Sequence, residues 1–188
     1  MSRKFTYSMN VQVVGGPDYL IYDCVLGWGG SNHDTRVFDH SEFKLWLEGQ
    51  HEFLVAGDGG YTLSRHLMIP YTTAESGADP DKALFNTKLS ALRTILTECI
   101  FGILKRRWAL LQHLPYNMEM SQKFILCAMI LHIMSVLWGQ LEEEDLNIQL
   151  PQPAAPGNEE VHGEIENDHV RRERAQAKRN EVRADMRQ

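Results

Sequence analysis

The chain has 188 residues, 43% of them apolar, which is enough length and hydrophobic content for a domain with a proper core. Its net charge of −6 argues against a protein that coats nucleic acid nonspecifically. The histidines and the three cysteines (Cys24, Cys99, Cys127) form neither an H-E-x-x-H nor a C-x-x-C pattern. A structural zinc is therefore not expected, and the cysteines read as small core residues of a reducing compartment.

Met1-Ser2-Arg3-Lys4-Phe5 runs straight into a strand pattern without the apolar stretch of a signal peptide. Tyr7, Met9, Val11 and Val13 alternate with Ser8, Asn10 and Gln12, the period of two of a half-buried strand. Gly15-Gly16-Pro17-Asp18 is a turn, and a second strand from Tyr19 to Leu26 completes an antiparallel hairpin that Gly27-Trp28-Gly29-Gly30 ends. A helix is predicted over residues 35–47. Phe53-Leu54-Val55-Ala56 reads as a short strand buried on both faces, and residues 71–84 as a loop. One long helix is predicted over residues 88–111, with Leu92, Ile95, Leu96, Cys99, Ile103 and Leu104 as its apolar stripe. Another runs from Ser121 to Trp138. Its apolar run, Phe124 to Trp138, is too short to span a bilayer and reads as a buried core helix, so a soluble, intracellular protein with no membrane partner is expected. This order describes mixed α and β structure around a small sheet.

The domain is expected to occupy residues 1–139. From residue 141 to 170 the chain is rich in carboxylates, has no Lys or Arg, and carries Pro151, Pro153 and Pro156-Gly157. Such a stretch buries too little apolar surface to offset its ordering entropy, so a disordered linker is expected. Residues 170–188 turn basic through Arg171, Arg172, Arg174, Lys178, Arg179, Arg183 and Arg187. With almost no apolar face, this segment reads as a solvated or transient helix; the sharper reading is a DNA- or partner-binding arm or a nuclear import signal.

Three carboxylates stand in settings that suit a magnesium or manganese site, where hard oxygen ligands converge from different elements. Asp58, in Gly57-Asp58-Gly59-Gly60-Tyr61, ends a strand where glycines let a ligand approach the backbone; the plainer reading is a hairpin turn. Asp34 lies in Ser31-Asn32-His33-Asp34, and Ser31-x-x-Asp34 would equally serve as a variant capping box. Glu98 lies within the long helix, with Lys105-Arg106-Arg107 about two turns later to meet phosphates; alternatively it is a solvated glutamate on the outer face.

Taken in order, Ser31-x-His33-Asp34-x-Arg36-Val37-Phe38, Gly57-Asp58-x-Gly60-Tyr61, Pro70-Tyr71, Phe85-Asn86, Glu98-x-x-Phe101-Gly102-x-Leu104-Lys105-x-Arg107-Trp108 and Cys127-x-x-x-Leu131-His132 resemble the Harbinger-type transposase-derived DDE nucleases across residues 1–139. The resemblance implies an RNase H-like sheet with flanking helices. It implies a divalent metal cation (Mg or Mn) held by Asp34, Asp58 and Glu98, with Asp58 and Glu98 matching the second and third catalytic acids. It implies DNA as the substrate, a Myb-like DNA-binding helper protein as a partner, and nuclear localisation with the cytoplasm as a second compartment. In that family the first catalytic Asp lies on an opening strand upstream of the pair that here is Arg3-Lys4. The expectation is thus an N-terminally truncated domain, without the first strand and its acid and with impaired catalysis. Cys99-Ile100 after Glu98 and Ile133 after His132 also depart from the usual pattern. The competing readings are a domesticated, non-catalytic DNA- or protein-binding remnant and a plain α/β interaction module.

Overall fold

The computed structural model describes residues 8–50, 52–141 and 168–185. It is a mixed α/β structure with two small sheets. The described residues fall into two compact units: one within Met1–Ser41 and Thr94–Pro151, the other within Glu42–Arg93 and Gln152–Gln188. This division does not follow the boundary at residue 139 that composition suggests.

In the first unit, β1 (Met9–Gly15) pairs antiparallel with β2 (Ile21–Gly29), as the alternating pattern predicts. The second strand runs three residues past its expected end. Between Asn10↔Trp28 and Gln12↔Val25 the register admits one extra residue on β2, and Gly27 takes it up at φ +91°. A Cβ on Gly27 would lie 2.6 Å from Gln122 Nε2, so glycine here supplies both the bulge and room for a helix side chain. At the tip, Tyr19 adopts φ +63°, and the His132 Nε2–H donates to its carbonyl at 2.8 Å.

The helices of this unit are α1 (Asp34–Asp39), α5 (Cys99–Arg107) and α6 (Met118–Leu137). Val13 and Ile21 of the hairpin, Ile100 and Leu104 of α5, and Ala128 and Met129 of α6 form one core. The Asn117 side chain caps α6 by accepting from Met120 N at 2.9 Å. This helix begins three residues earlier than the sequence suggests. By length and composition alone it is long and apolar enough to cross a membrane, although Ala128, Met129 and His132 are buried within the protein.

The helix expected over 35–47 is two pieces, α1 and α2 (Glu42–Glu48), the latter in the second unit. The break has a local cause: the Ser41 hydroxyl donates to the Phe38 carbonyl at 2.7 Å, replacing the backbone donor of a continuing helix.

The second unit holds β3 (Val55–Ala56), paired in parallel with β4 (Leu67–Met68). The expected strand over 53–56 is thus only half as long, and Phe53 and Leu54 are exposed instead of buried. The expected loop over 71–84 is largely helical, with α3 (Thr73–Ala78) followed by α4 (Pro80–Arg93). Thr72 and Glu75 close a capping box, and Pro80 starts α4, where its missing N–H has no helical partner to lose. The helix expected over 88–111 starts earlier and is helical without a gap from Pro80 to Arg107, but its α geometry is interrupted once. After α4 a five-residue π-helical turn (Thr94–Glu98) leads into α5, then a 3₁₀ turn (Ala109–Gln112). Because the chain leaves one unit for the other at Arg93–Thr94, a single stripe does not serve the whole segment, and Leu92 is exposed.

Of the tail expected to be disordered, residues 142–167 and 186–188 lie outside the described residues. Residues 168–185 form a helix, α7 (Asp168–Asp185), packed in the second unit. Among the described side chains, contacts of Val182, Arg179, Asn180 and Arg183 stand in for the missing apolar face. Val182 packs against the cluster of Met68, Tyr71, Phe85 and Leu89. Arg179, 5% exposed, stacks its guanidinium 3.6 Å from the Tyr71 ring centroid. The Tyr71 hydroxyl donates to Asn180 Oδ1 at 2.9 Å, and Arg183 pairs with Asp79 at 3.2 Å.

Candidate metal centre

Asp34 is the first residue of α1, half-buried, where a carboxylate is favoured by the helix dipole. The capping box suggested by Ser31-x-x-Asp34 does not form: the N-cap is His33, and its side chain makes no capping bond. The acid is instead pinned from the hairpin. Asn10 Nδ2 donates to Asp34 Oδ1 at 2.7 Å and lies 3.3 Å from the Asn32 carbonyl. The turn before the helix is closed by Asn32, whose backbone and side-chain nitrogens both donate to the Gly29 carbonyl. Sequence reasoning missed Asn10, which looks like any outward polar residue of a strand.

Asp58 follows β3 and is half-buried. Since β3 and β4 run parallel, Gly57-Asp58-Gly59 is not the turn of a hairpin. The Gly60 amide donates to Asp58 Oδ1 at 2.9 Å, an Asx turn that fixes one carboxylate oxygen. The glycines on either side differ. Gly57 donates its N–H to the Met68 carbonyl at 2.8 Å, and a Cβ on it would approach Leu67 Cδ1 and Tyr61 Cδ2 to 3.1 Å. A Cβ on Gly59 would meet nothing within 4 Å.

Glu98 closes the π-helical turn with helical backbone angles and is half-buried. Burial, followed by the charge of Glu98, pushes the neighbouring Cys99 thiol up; burial and Asp23 do the same to Cys24. Lys105, Arg106 and Arg107 occupy the last turn of α5, where cations suit the carbonyl end of the helix, with Lys105 and Arg106 exposed.

Asp34 and Glu98 thus belong to the first unit and Asp58 to the second. Each is a hard oxygen donor, and two of them have an oxygen already oriented by a nitrogen donor. Among the described residues, however, no three His, Cys, Asp or Glu side chains stand together closely enough to hold a metal ion. The local settings of the three carboxylates suit such ligands one by one.

The mixed α/β architecture is consistent with the family that most of the sequence matches. The profile of the DDE superfamily endonucleases covers residues 1–132, a span containing Asp34, Asp58 and Glu98. The chain belongs to the DDE superfamily of endonucleases. No curated protein and no solved structure matches it.

Proposed function

We propose that this chain is a Harbinger-type, transposase-derived nuclease domain of RNase H-like fold that acts on DNA phosphodiesters in the nucleus. The family match over residues 1–132 carries the reading, because it spans all three acids in their expected order. Members of this superfamily use divalent metals, and Asp34, Asp58 and Glu98 are the residues we assign to hold Mg or Mn here. The ion would supply a polarised phosphoryl oxygen and an activated nucleophile. The protein's own part is to keep the acids aimed: Asn10 holds Asp34, and the Gly60 amide holds Asp58. A Myb-like DNA-binding helper is the protein partner we assign.

Asp58 and Glu98 are the residues we assign as the second and third acids. The second reading is a domesticated remnant that binds DNA or a partner without cutting. Manganese titration by calorimetry separates the two. Under the nuclease reading the chain binds the ion and Asp58→Ala abolishes binding. Unchanged binding in that variant would remove Asp58 from the site, and no binding by the unaltered chain would leave the remnant.

A further inference from the structure

The short helix α2 is turned inside out by the usual rule for surface helices. Glu42, Leu45, Trp46 and Gly49, at the i, i+3, i+4, i+7 spacing of one face, would ordinarily present polar groups to water. Here Leu45 is 71% exposed and Trp46 49%, while Leu47 is buried. The apolar surface continues beyond the helix. Phe43 stacks on Trp46 with ring centroids 5.6 Å apart, Trp46 meets Phe53 at 5.4 Å, and Phe53 and Leu54 are 54% and 43% exposed. Three aromatic rings in series, with the exposed Leu45 and Leu54 next to Trp46 and Phe53 in the chain, make an apolar patch of the kind that marks an interaction site, and aromatic residues are enriched in such sites.

The surrounding charge selects the partner. Among the described residues of this segment the exposed charged side chains are Glu42, Glu48 and Glu52; Lys44 is half-buried with its Nζ 3.8 Å from Glu48 Oε1. Beside the segment the exposed Arg65 adjoins His66, whose Nδ1 lies 3.0 Å from the Phe53 carbonyl, so carboxylates still outnumber cations here. We propose that the Leu45–Trp46–Phe53–Leu54 surface docks a basic amphipathic helix of another protein. An aliphatic ridge would lie on the aromatic rings, and flanking Lys or Arg side chains would meet the glutamate rim. A phosphate backbone would face those same carboxylates, so a protein partner fits this surface and a nucleic acid does not.

The test uses the 188-residue chain and a labelled amphipathic Leu/Lys peptide of about eighteen residues, long enough to form a helix on docking. Its Leu/Glu counterpart has the same apolar pattern. Fluorescence anisotropy should show the Leu/Lys peptide binding at least about tenfold more tightly than the Leu/Glu peptide. Trp46→Ser should weaken binding about tenfold, and Glu42→Lys with Glu52→Lys should weaken it through charge alone, with circular dichroism confirming that each variant folds. Equal affinity for the two peptides, or binding indifferent to Trp46→Ser, overturns the proposal. Self-association in sedimentation that Trp46→Ser abolishes would replace the partner with a second copy. A single-stranded oligonucleotide bound in a Trp46-dependent way would replace it with nucleobases; either result also overturns the proposal.

Discussion

The first unit coheres through a cluster that needs no individual polar contact. Val13, Ile21, Ile100, Leu104, Ala128 and Met129 exclude water between a hairpin and two helices, and any one of them contributes by area. In the second unit the apolar cluster is smaller, and its centre, Tyr71, is fully buried between the Phe85 ring, 5.3 Å away, and the Arg179 guanidinium. Here β3 and β4 have two residues each, and much of the cohesion comes from directional contacts to a few side chains. Non-directional burial tolerates substitution and reads as periodicity, whereas a single stacked cation leaves no periodic trace and fails as a unit.

Tyr71→Ala should have the largest effect, about 4 kcal/mol in urea unfolding, because it removes an aromatic centre and leaves the Arg179 charge without its platform. Amide exchange in residues 176–184 should rise with it. Ile100→Ala should cost about 3 kcal/mol, through a cavity, and raise exchange in β1 and β2. Equal loosening of α7 in both variants would erase the contrast between the units. Arg179→Lys should cost about 2 kcal/mol although it keeps the charge, since an ammonium cannot stack flat on Tyr71. A neutral result would show that charge alone holds α7.

The smallest effect concerns acid. Burial pushes the Glu75 carboxyl up, but hydrogen bonds from the Thr72 amide and hydroxyl and the charge of Arg179, 3.9 Å away, outweigh it and hold Glu75 below the usual glutamate range. A folded-state value below the unfolded one means the stabilisation is present at neutral pH and is lost as pH falls through the folded value. Exchange at α3 and α7 should therefore rise as pH falls below the usual glutamate range, and Glu75→Gln should flatten that response.

The hairpin and the helix that became α6 were legible because their apolar residues recur with a regular period. Two further elements carried signals of another kind that the reading passed over: Thr72-x-x-Glu75 is a capping box, and Pro80 marks a helix start. Helix α7 was not legible, since its anchor is an arginine, and arginines in a basic run ordinarily read as solvated. At the candidate site the order of Asp34, Asp58 and Glu98 identified the family, but not the local supports. Asn10 acts across 24 residues of sequence, and the parallel pairing that shows Gly57-Asp58-Gly59 not to be a hairpin depends on Leu67 and Met68, which no alternation announces.

The two glycines beside Asp58 carry unequal burdens. In a saturation library, position 57 should behave as a nearly closed letter, since even alanine presses on Leu67 and Tyr61. Position 59 should accept a broad alphabet, its side chain emerging into open space. A motif written G-D-G would then be two statements of different strength: a steric demand before the acid and a habit after it.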